Sequence, residues 1–157
     1  MSVLPLADLR TRMARGHRLL GVDLGEKTIG LALSDCLLKV ATPYGTLKRG
    51  KFTANVEELQ GIATKEGVGG YVIGLPLNMN GSDGPAAQSA RAFARNLAGR
   101  SELFIVLWDE RLSTAAVQRD MIAADVTRKR RSESVDKVAA AYILQSALEA
   151  LRNLPPD

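Results

Sequence analysis

The chain has 157 residues, 46% hydrophobic and 24% charged, a composition that excludes a disordered segment and fits one folded domain. No run approaches the roughly 18 apolar residues of a membrane span, and the N-terminus lacks the apolar core of a secretory signal, so we expect no membrane partner. A single cysteine, Cys36, and a single histidine, His17, exclude an internal disulfide and a Cys/His zinc site, which suits the cytoplasm.

Positive charge is concentrated in two segments, although the net charge is only +4. Residues 1–18 carry four arginines against one aspartate, and the second segment is Arg128, Lys129, Arg130 and Arg131. The rest of the chain is therefore net acidic. Basic clusters bind nucleic-acid phosphates in some proteins and are solvated loops in others, and charge alone leaves both interpretations open.

The first half of the chain predicts three strands. Residues 1–17 form an N-terminal extension with a short amphipathic helix; a mitochondrial-type presequence is the weaker alternative. Residues 18–35 alternate apolar side chains on both sides of a tight turn at Gly25, which predicts two paired strands. A third strand follows over residues 40–48. Because the links are short, the three strands should pair antiparallel.

The second half predicts alternating helices and strands: a helix over 53–66, a strand over 69–77, a helix over 85–97, a strand over 104–108, a helix over 114–124, a basic loop, and a final helix over 135–152. Such alternation favours parallel pairing with right-handed crossovers. We therefore predict a single α/β domain over residues 18–152, with a mixed five-stranded sheet and helices on both faces.

Three carboxylates stand out from this pattern. Asp23 lies in the middle of an apolar strand, where an acid is costly to bury unpaired. Glu110, beside Asp109, follows the last strand. Asp136 begins the final helix on the side of its apolar stripe. Structural alternatives remain open: Asp136 can simply favour the helix N-terminus, and Asp109-Glu110-Arg111 can be a surface ion pair.

Together, the three acids predict a set of hard oxygen ligands. Such ligands suit Mg²⁺ or Mn²⁺, which bind carboxylates and retain waters for a phosphate substrate. Two such ions close together promote phosphodiester cleavage, and the basic segments would then hold the strand being cut. The hypothesis requires that folding bring Asp23, Glu110 and Asp136 into one pocket.

Four segments resemble the motifs of the YqgF/RuvX family in the same order: VDLGEKTIGLALSD, GLPLNMNG, DERLST and SVDKVAAAYILQ. The resemblance spans about residues 18–151. It implies an RNase H-like fold related to Holliday junction resolvases, and an association with processing of the 5′ end of pre-16S rRNA or with junction resolution. It places the acids of the family's metal site on Asp23, Glu110 and Asp136.

Two features depart from the related families. Asn80 stands where many relatives have aspartate, so it is not assigned as a ligand. The strand ending at Leu77 offers no glutamate, unlike that of the junction resolvases, so Glu110 must supply this acid from another strand. Lys27 and Arg111 are candidates for phosphate contact, as are the four basic residues 128–131, with exposed charge as the alternative.

The sequence hypothesis is thus a Mg²⁺- or Mn²⁺-dependent nuclease acting on structured RNA in ribosome biogenesis, with branched DNA as an alternative substrate and a homodimer left open. A non-catalytic RNA-binding module of ribosome assembly is a second hypothesis. Nucleotide binding of the actin-like ATPase kind is a third, but that architecture needs a second domain for which this chain has no room.

Overall fold

Five strands form one mixed sheet in the computed structural model, which describes residues 3–112 and 128–154, with side chains in the last helix from residue 137 onward. The elements are α1 (Leu6–Arg12), β1 (Arg18–Leu24), β2 (Thr28–Ser34), β3 (Ala41–Lys48), α2 (Phe52–Glu66), β4 (Val68–Leu75), α3 (Pro85–Ala98), β5 (Phe104–Asp109), a 3₁₀ turn (Glu110–Leu112) and α4 (Arg128–Arg152).

The strand order is β3-β2-β1-β4-β5. The first three strands pair antiparallel, whereas β4 pairs parallel with both β1 and β5. This confirms the predicted mixed sheet. Pro43 is tolerated within β3 because β3 is an edge strand, so the missing N–H breaks no ladder on its outer side.

Two apolar clusters cover the two faces of the sheet. Large residues of the sheet pack against α2 and α3 on one face, with Leu59 of α2 and Phe93 of α3 among them. The other face packs against α4 and α1 through Leu144 and Leu9. The clusters separate because side chains alternate along each strand: Leu20 belongs to the first cluster and Leu19 to the second.

The final helix begins earlier than predicted. It already includes Arg128, rather than beginning near Val135, so residues 128–131 are helical and not in a loop. Arg and Lys are good helix formers, and the loop prediction relied on their charge alone. Asp136 is consequently inside the helix, not at its start, and Ser134 is not its N-cap. The helix predicted over residues 114–124 lies outside the described residues.

Within residues 3–112 and 128–154, no helix has both the length and the hydrophobicity needed to cross a membrane.

Candidate active site

Asp23 is a buried carboxylate near the C-terminal end of β1, where it pairs with Gly30 of β2 and is 6% exposed. Two residues earlier, Gly21 faces α4: a Cβ built on it would lie 2.9 Å from Leu144 Cβ. Strand alternation directs Asp23 to this same face. A carboxylate here brings hard oxygen donors to the face that α4 covers, which is the ligand chemistry that a divalent cation such as Mg²⁺ requires.

Glu110 reaches the same face from the far side of β4. The register aligns Val22 with Ile73, so the next positions along the two strands are Asp23 and Gly74. The Glu110 side chain lies over Gly74, with its Oε1 only 2.6 Å from where a Gly74 Cβ would be. Because neighbouring strands are about 4.8 Å apart, the Glu110 carboxylate lies beside the strand position of Asp23.

Asp136 belongs to the part of α4 whose side chains lie outside the described residues, but the course of the helix is clear. The Ala140 carbonyl lies over Gly21, at 3.1 Å from its virtual Cβ. At the far end of α4, the Leu151 carbonyl accepts a hydrogen bond of 2.6 Å from Arg10 of α1. The α1 residue Leu9 in turn packs near Gly70 at the start of β4.

The helix therefore runs from the C-terminal edge of β1 and β4 toward their N-terminal edge. Position 136 is one helical turn before Ala140, about 6 Å along the axis toward the edge that carries Asp23 and Glu110. The catalytic role of Asp136 stays a prediction.

Arg111 and Asp109 form an ion pair beside the acids. Arg111 Nη2 lies 2.7 Å from Asp109 Oδ2, and Arg111 Nη1 donates to the Met79 carbonyl at 3.3 Å. The Arg111 guanidinium holds the pKa of Asp109 below its usual value. The ion-pair interpretation is thus correct for Asp109 and Arg111, whereas the Glu110 carboxylate points over Gly74. Contact of Arg111 with phosphate stays a prediction.

The loop after β4 is closed by its own side chains. Asn80 Oδ1 accepts hydrogen bonds from the Ser82 N–H at 3.0 Å and from Ser82 Oγ at 2.6 Å. Asn78 Nδ2 donates to Ser82 Oγ at 3.0 Å. The Asn80 oxygen therefore stabilises the loop.

Lys27 is exposed in the turn between β1 and β2, and sequence analysis overlooked the residue that holds this turn. Arg49 Nη1 donates to the Gly25 carbonyl at 2.7 Å, and the Arg49 N–H donates to the Lys27 carbonyl at 2.9 Å. Nothing in the sequence distinguishes Arg49 from other basic residues. Gly74 was also overlooked, although a glycine inside a strand pattern signals close approach of another group.

The two described carboxylates fit a divalent cation chemically. Asp23 and Glu110 supply hard oxygen donors side by side, and two neighbouring negative charges are stabilised by a cation between them. Among the side chains that the structure describes, no group of three His, Cys, Asp or Glu forms a complete metal site. The third predicted ligand, Asp136, lies outside that set.

Comparison with solved structures gives the class of fold. A structure described as "T. thermophilus RuvC in complex with Holliday junction substrate" superposes with a TM-score of 0.52, covering 87% of this chain and 96% of that one at 12% identity. At this identity the similarity concerns the fold alone. The molecule therefore has the RNase H-like fold of the RuvC resolvases, as predicted.

Sequence comparison is more specific. A family model described as RuvX, Holliday junction resolvase, matches residues 17–150. A protein of Paramagnetospirillum magneticum named "Putative pre-16S rRNA nuclease" is 54% identical over 149 residues, which cover 95% of this chain and 96% of the relative. A protein of the same name from Ruegeria pomeroyi is 56% identical over 136 residues, 87% of this chain and 88% of the relative. The chain belongs to the RuvX family, which confirms the predicted family and the predicted class of enzyme, a nuclease.

Proposed function

We propose that this protein is a divalent-metal-dependent endonuclease that cleaves phosphodiester bonds in structured RNA, with maturation of the 5′ end of pre-16S rRNA as its role. The observation that carries the proposal is the meeting of Asp23 and Glu110 on one face of the sheet, at the edge toward which the N-terminal part of α4, with position 136, runs. The names of the relatives support the RNA substrate. Processing of ribosomal RNA would place the protein in the cytoplasm.

Asp23, Glu110 and Asp136 would hold the metal, either Mg²⁺ or Mn²⁺. When bound, such ions activate water and stabilise the leaving oxygen of a phosphodiester. The reaction forms a bond between a water oxygen and phosphorus and breaks one P–O ester bond, with a proton passing to the leaving oxygen. The protein's part is to hold the carboxylates at fixed positions: Asp23 is fixed by two neighbouring strands, and Glu110 by the 3₁₀ turn after β5.

The basic residues would hold the nucleic acid around these acids. Lys27 lies in the turn after β1, four residues beyond Asp23, and residues 128–131 belong to the N-terminal part of α4. Contacts of this kind position the phosphate backbone without reading sequence. We therefore expect binding to weaken steeply with salt.

Cleavage assays of matched variants test the proposal. Wild type, Asp23→Asn and Glu110→Gln are compared with Glu57→Gln, which removes an exposed carboxylate on α2. The substrate is a pre-16S rRNA 5′ fragment, with Mn²⁺, Mg²⁺ or EDTA. We expect metal-dependent cleavage that the two site variants reduce about 10²- to 10³-fold, because loss of a metal ligand removes several kcal/mol of transition-state stabilisation. Glu57→Gln should match wild type.

A thermal measurement separates catalytic from structural acids. Metal-free Asp23→Asn should be at least as stable as wild type, since the change removes repulsion between carboxylates. Mg²⁺ or Mn²⁺ should raise the Tm of wild type but not of the variant. Absence of metal-dependent cleavage in wild type would instead favour the non-catalytic RNA-binding module, whereas full activity in Asp23→Asn would contradict the role of this carboxylate in cleavage.

Resolution of branched DNA is the second candidate, favoured by the description of the family model. A four-way DNA junction and an unrelated single-stranded RNA are therefore included in the same assay. Cleavage of the junction with a higher kcat/KM than the rRNA fragment would assign the protein to DNA, because kcat/KM ratios express the enzyme's discrimination between substrates.

A further inference from the structure

Gly74 leaves an open position in the sheet next to Asp23, and the Glu110 side chain fills it. A Cβ at position 74 would lie 2.6 Å from Glu110 Oε1, 3.2 Å from Glu110 Cγ and 2.9 Å from Ile143 Cδ1. Non-bonded carbon atoms are in optimal contact at about 3.5–4.0 Å, so all three distances are too short for a real Cβ at this position. Glu110 thus occupies the volume that any larger residue at position 74 would need.

The backbone does not require glycine at this position. The glycines with positive φ among the described residues are Gly16, Gly67 and Gly81. Gly74 is instead an ordinary residue of β4, paired in register with Trp108 of β5. The absence of a side chain, rather than conformational freedom, is what glycine supplies here.

This absence matters because β4 separates the two acids. In the strand order, β4 lies between β1, which carries Asp23, and β5, which precedes Glu110. Two strand spacings of about 4.8 Å each separate β1 from β5. A carboxylate from the end of β5 therefore meets Asp23 only by lying across β4.

We propose that Gly74 is a positioning residue for the nuclease site: its missing side chain lets Glu110 lie across β4 and brings the Glu110 carboxylate beside Asp23. The inference rests on the proposed function and adds the residue that makes the site geometrically feasible. It also explains how the second acid can come from a strand that is not adjacent to β1.

Gly21, on the same face, has a different role. Its virtual Cβ would lie 2.9 Å from Leu144 Cβ and 3.1 Å from the Ala140 carbonyl, both of which are held by the backbone of α4. The atoms facing Gly74 belong instead to the side chains of Glu110 and Ile143, which can move without displacing a backbone. An alanine at position 74 is therefore accommodated by movement of Glu110 and Ile143, at small cost in stability but with loss of the carboxylate position.

The test compares Gly74→Ala with Gly70→Ala. Gly70 lies on the same strand and face, and its virtual Cβ is 3.1 Å from Leu19 Cδ2 and 3.2 Å from the Phe104 carbonyl, away from the acids. We expect Gly74→Ala to lower kcat about 10²-fold, as misplacement of a catalytic group by about 1 Å does, with KM for RNA changed less than about twofold. The Mn²⁺ concentration for half-maximal rate should rise, whereas Gly70→Ala should leave it unchanged.

A stability cycle supplies a readout that does not depend on activity. The loss of unfolding free energy caused by Gly74→Ala is measured in wild type and in Glu110→Ala. Because the overlapping carboxylate is absent from Glu110→Ala, the loss should be smaller in that background. If the Gly74→Ala single variant does not fold, folding of the variant that combines Gly74→Ala with Glu110→Ala would demonstrate the same coupling between the two positions.

The outcomes separate the two proposals. Equal loss of stability in both backgrounds overturns the Gly74–Glu110 contact, and wild-type kcat and Mn²⁺ dependence in Gly74→Ala overturn its positioning role. A smaller loss of stability in the Glu110→Ala background, together with no metal-dependent cleavage by wild type, would establish the contact. It would overturn the nuclease function instead.

Discussion

The two faces of the sheet differ in side-chain size, and the difference separates stability from chemistry. The face toward α2 and α3 carries large apolar residues such as Leu20, Ile29, Leu31, Tyr71 and Ile73. The face toward α4 carries small residues at the positions of closest approach, among them Gly21, Ala32 and Gly74. Both described acids of the candidate site lie on this second face.

Small residues let α4 approach the sheet closely, which fixes the helix and leaves little free volume beneath it. Ala140, Ile143 and Ala147 are completely buried there, as the predicted apolar stripe requires. Trp108 Nε1 of β5 also donates to Ser146 Oγ of α4 at 2.7 Å. A helix held in this way supplies a rigid support for an acid one turn further toward its N-terminus.

The largest stability effect should come from the face with large residues. Leu59 is fully buried in α2, and Leu59→Ala should lower the free energy of unfolding by about 2–5 kcal/mol through lost burial and a cavity. Specific activity below the lowered Tm should be retained, because the substitution is on the opposite side of the sheet from the acids. Urea unfolding and cleavage assays check both statements.

Leu37→Ala is the control, since Leu37 is 72% exposed. It should change stability by less than about 0.5 kcal/mol. A loss of cleavage in folded Leu59→Ala would contradict the division of roles between the faces.

The next effect should come from close packing beneath α4. Gly21→Ala should cost about 1–3 kcal/mol of stability, because the new methyl group forces the helix backbone away from β1. Gly74→Ala should lower the free energy of unfolding by less than Gly21→Ala does. Relative to that loss of stability, it should lower the cleavage activity by more. Denaturation and kinetic measurements on both variants test this contrast. Unchanged stability of Gly21→Ala would contradict it.

The smallest effect concerns the ion pair beside the site. The Asp109 pKa is lowered by Arg111, so the pair contributes stability above the unfolded-state pKa near 3.9 and loses it as the pH falls through the folded-state value. Arg111→Gln should therefore cost less than about 1 kcal/mol at pH 7, because both side chains are partly exposed. The difference from wild type should shrink as the pH falls through the folded-state pKa of Asp109.

Unfolding curves of wild type and Arg111→Gln between pH 2 and pH 7 measure how the difference in their free energies of unfolding depends on pH. A difference that stays constant with pH would indicate that Arg111 stabilises the protein through its hydrogen bond to the Met79 carbonyl instead.

Much of the fold was predictable because periodicity is a local property of the chain. The alternation around Asp23 predicted β1 and β2, and the later helix–strand alternation predicted parallel pairing. The helical state of residues 128–131 was not predictable in this way, because four adjacent basic residues are compatible with both a loop and a helical turn. The acid residues were also recognisable, since Asp23 interrupts an apolar strand.

The amino-acid sequence alone shows which residue types are available for metal and phosphate chemistry, and in what order the strands and helices follow. The position of β4 between Asp23 and Glu110, the space that Gly74 leaves for Glu110, and the pairing of Arg111 with Asp109 become visible only in the folded chain. These relations depend on strand order and on packing between segments far apart in the chain, neither of which is encoded in any local pattern.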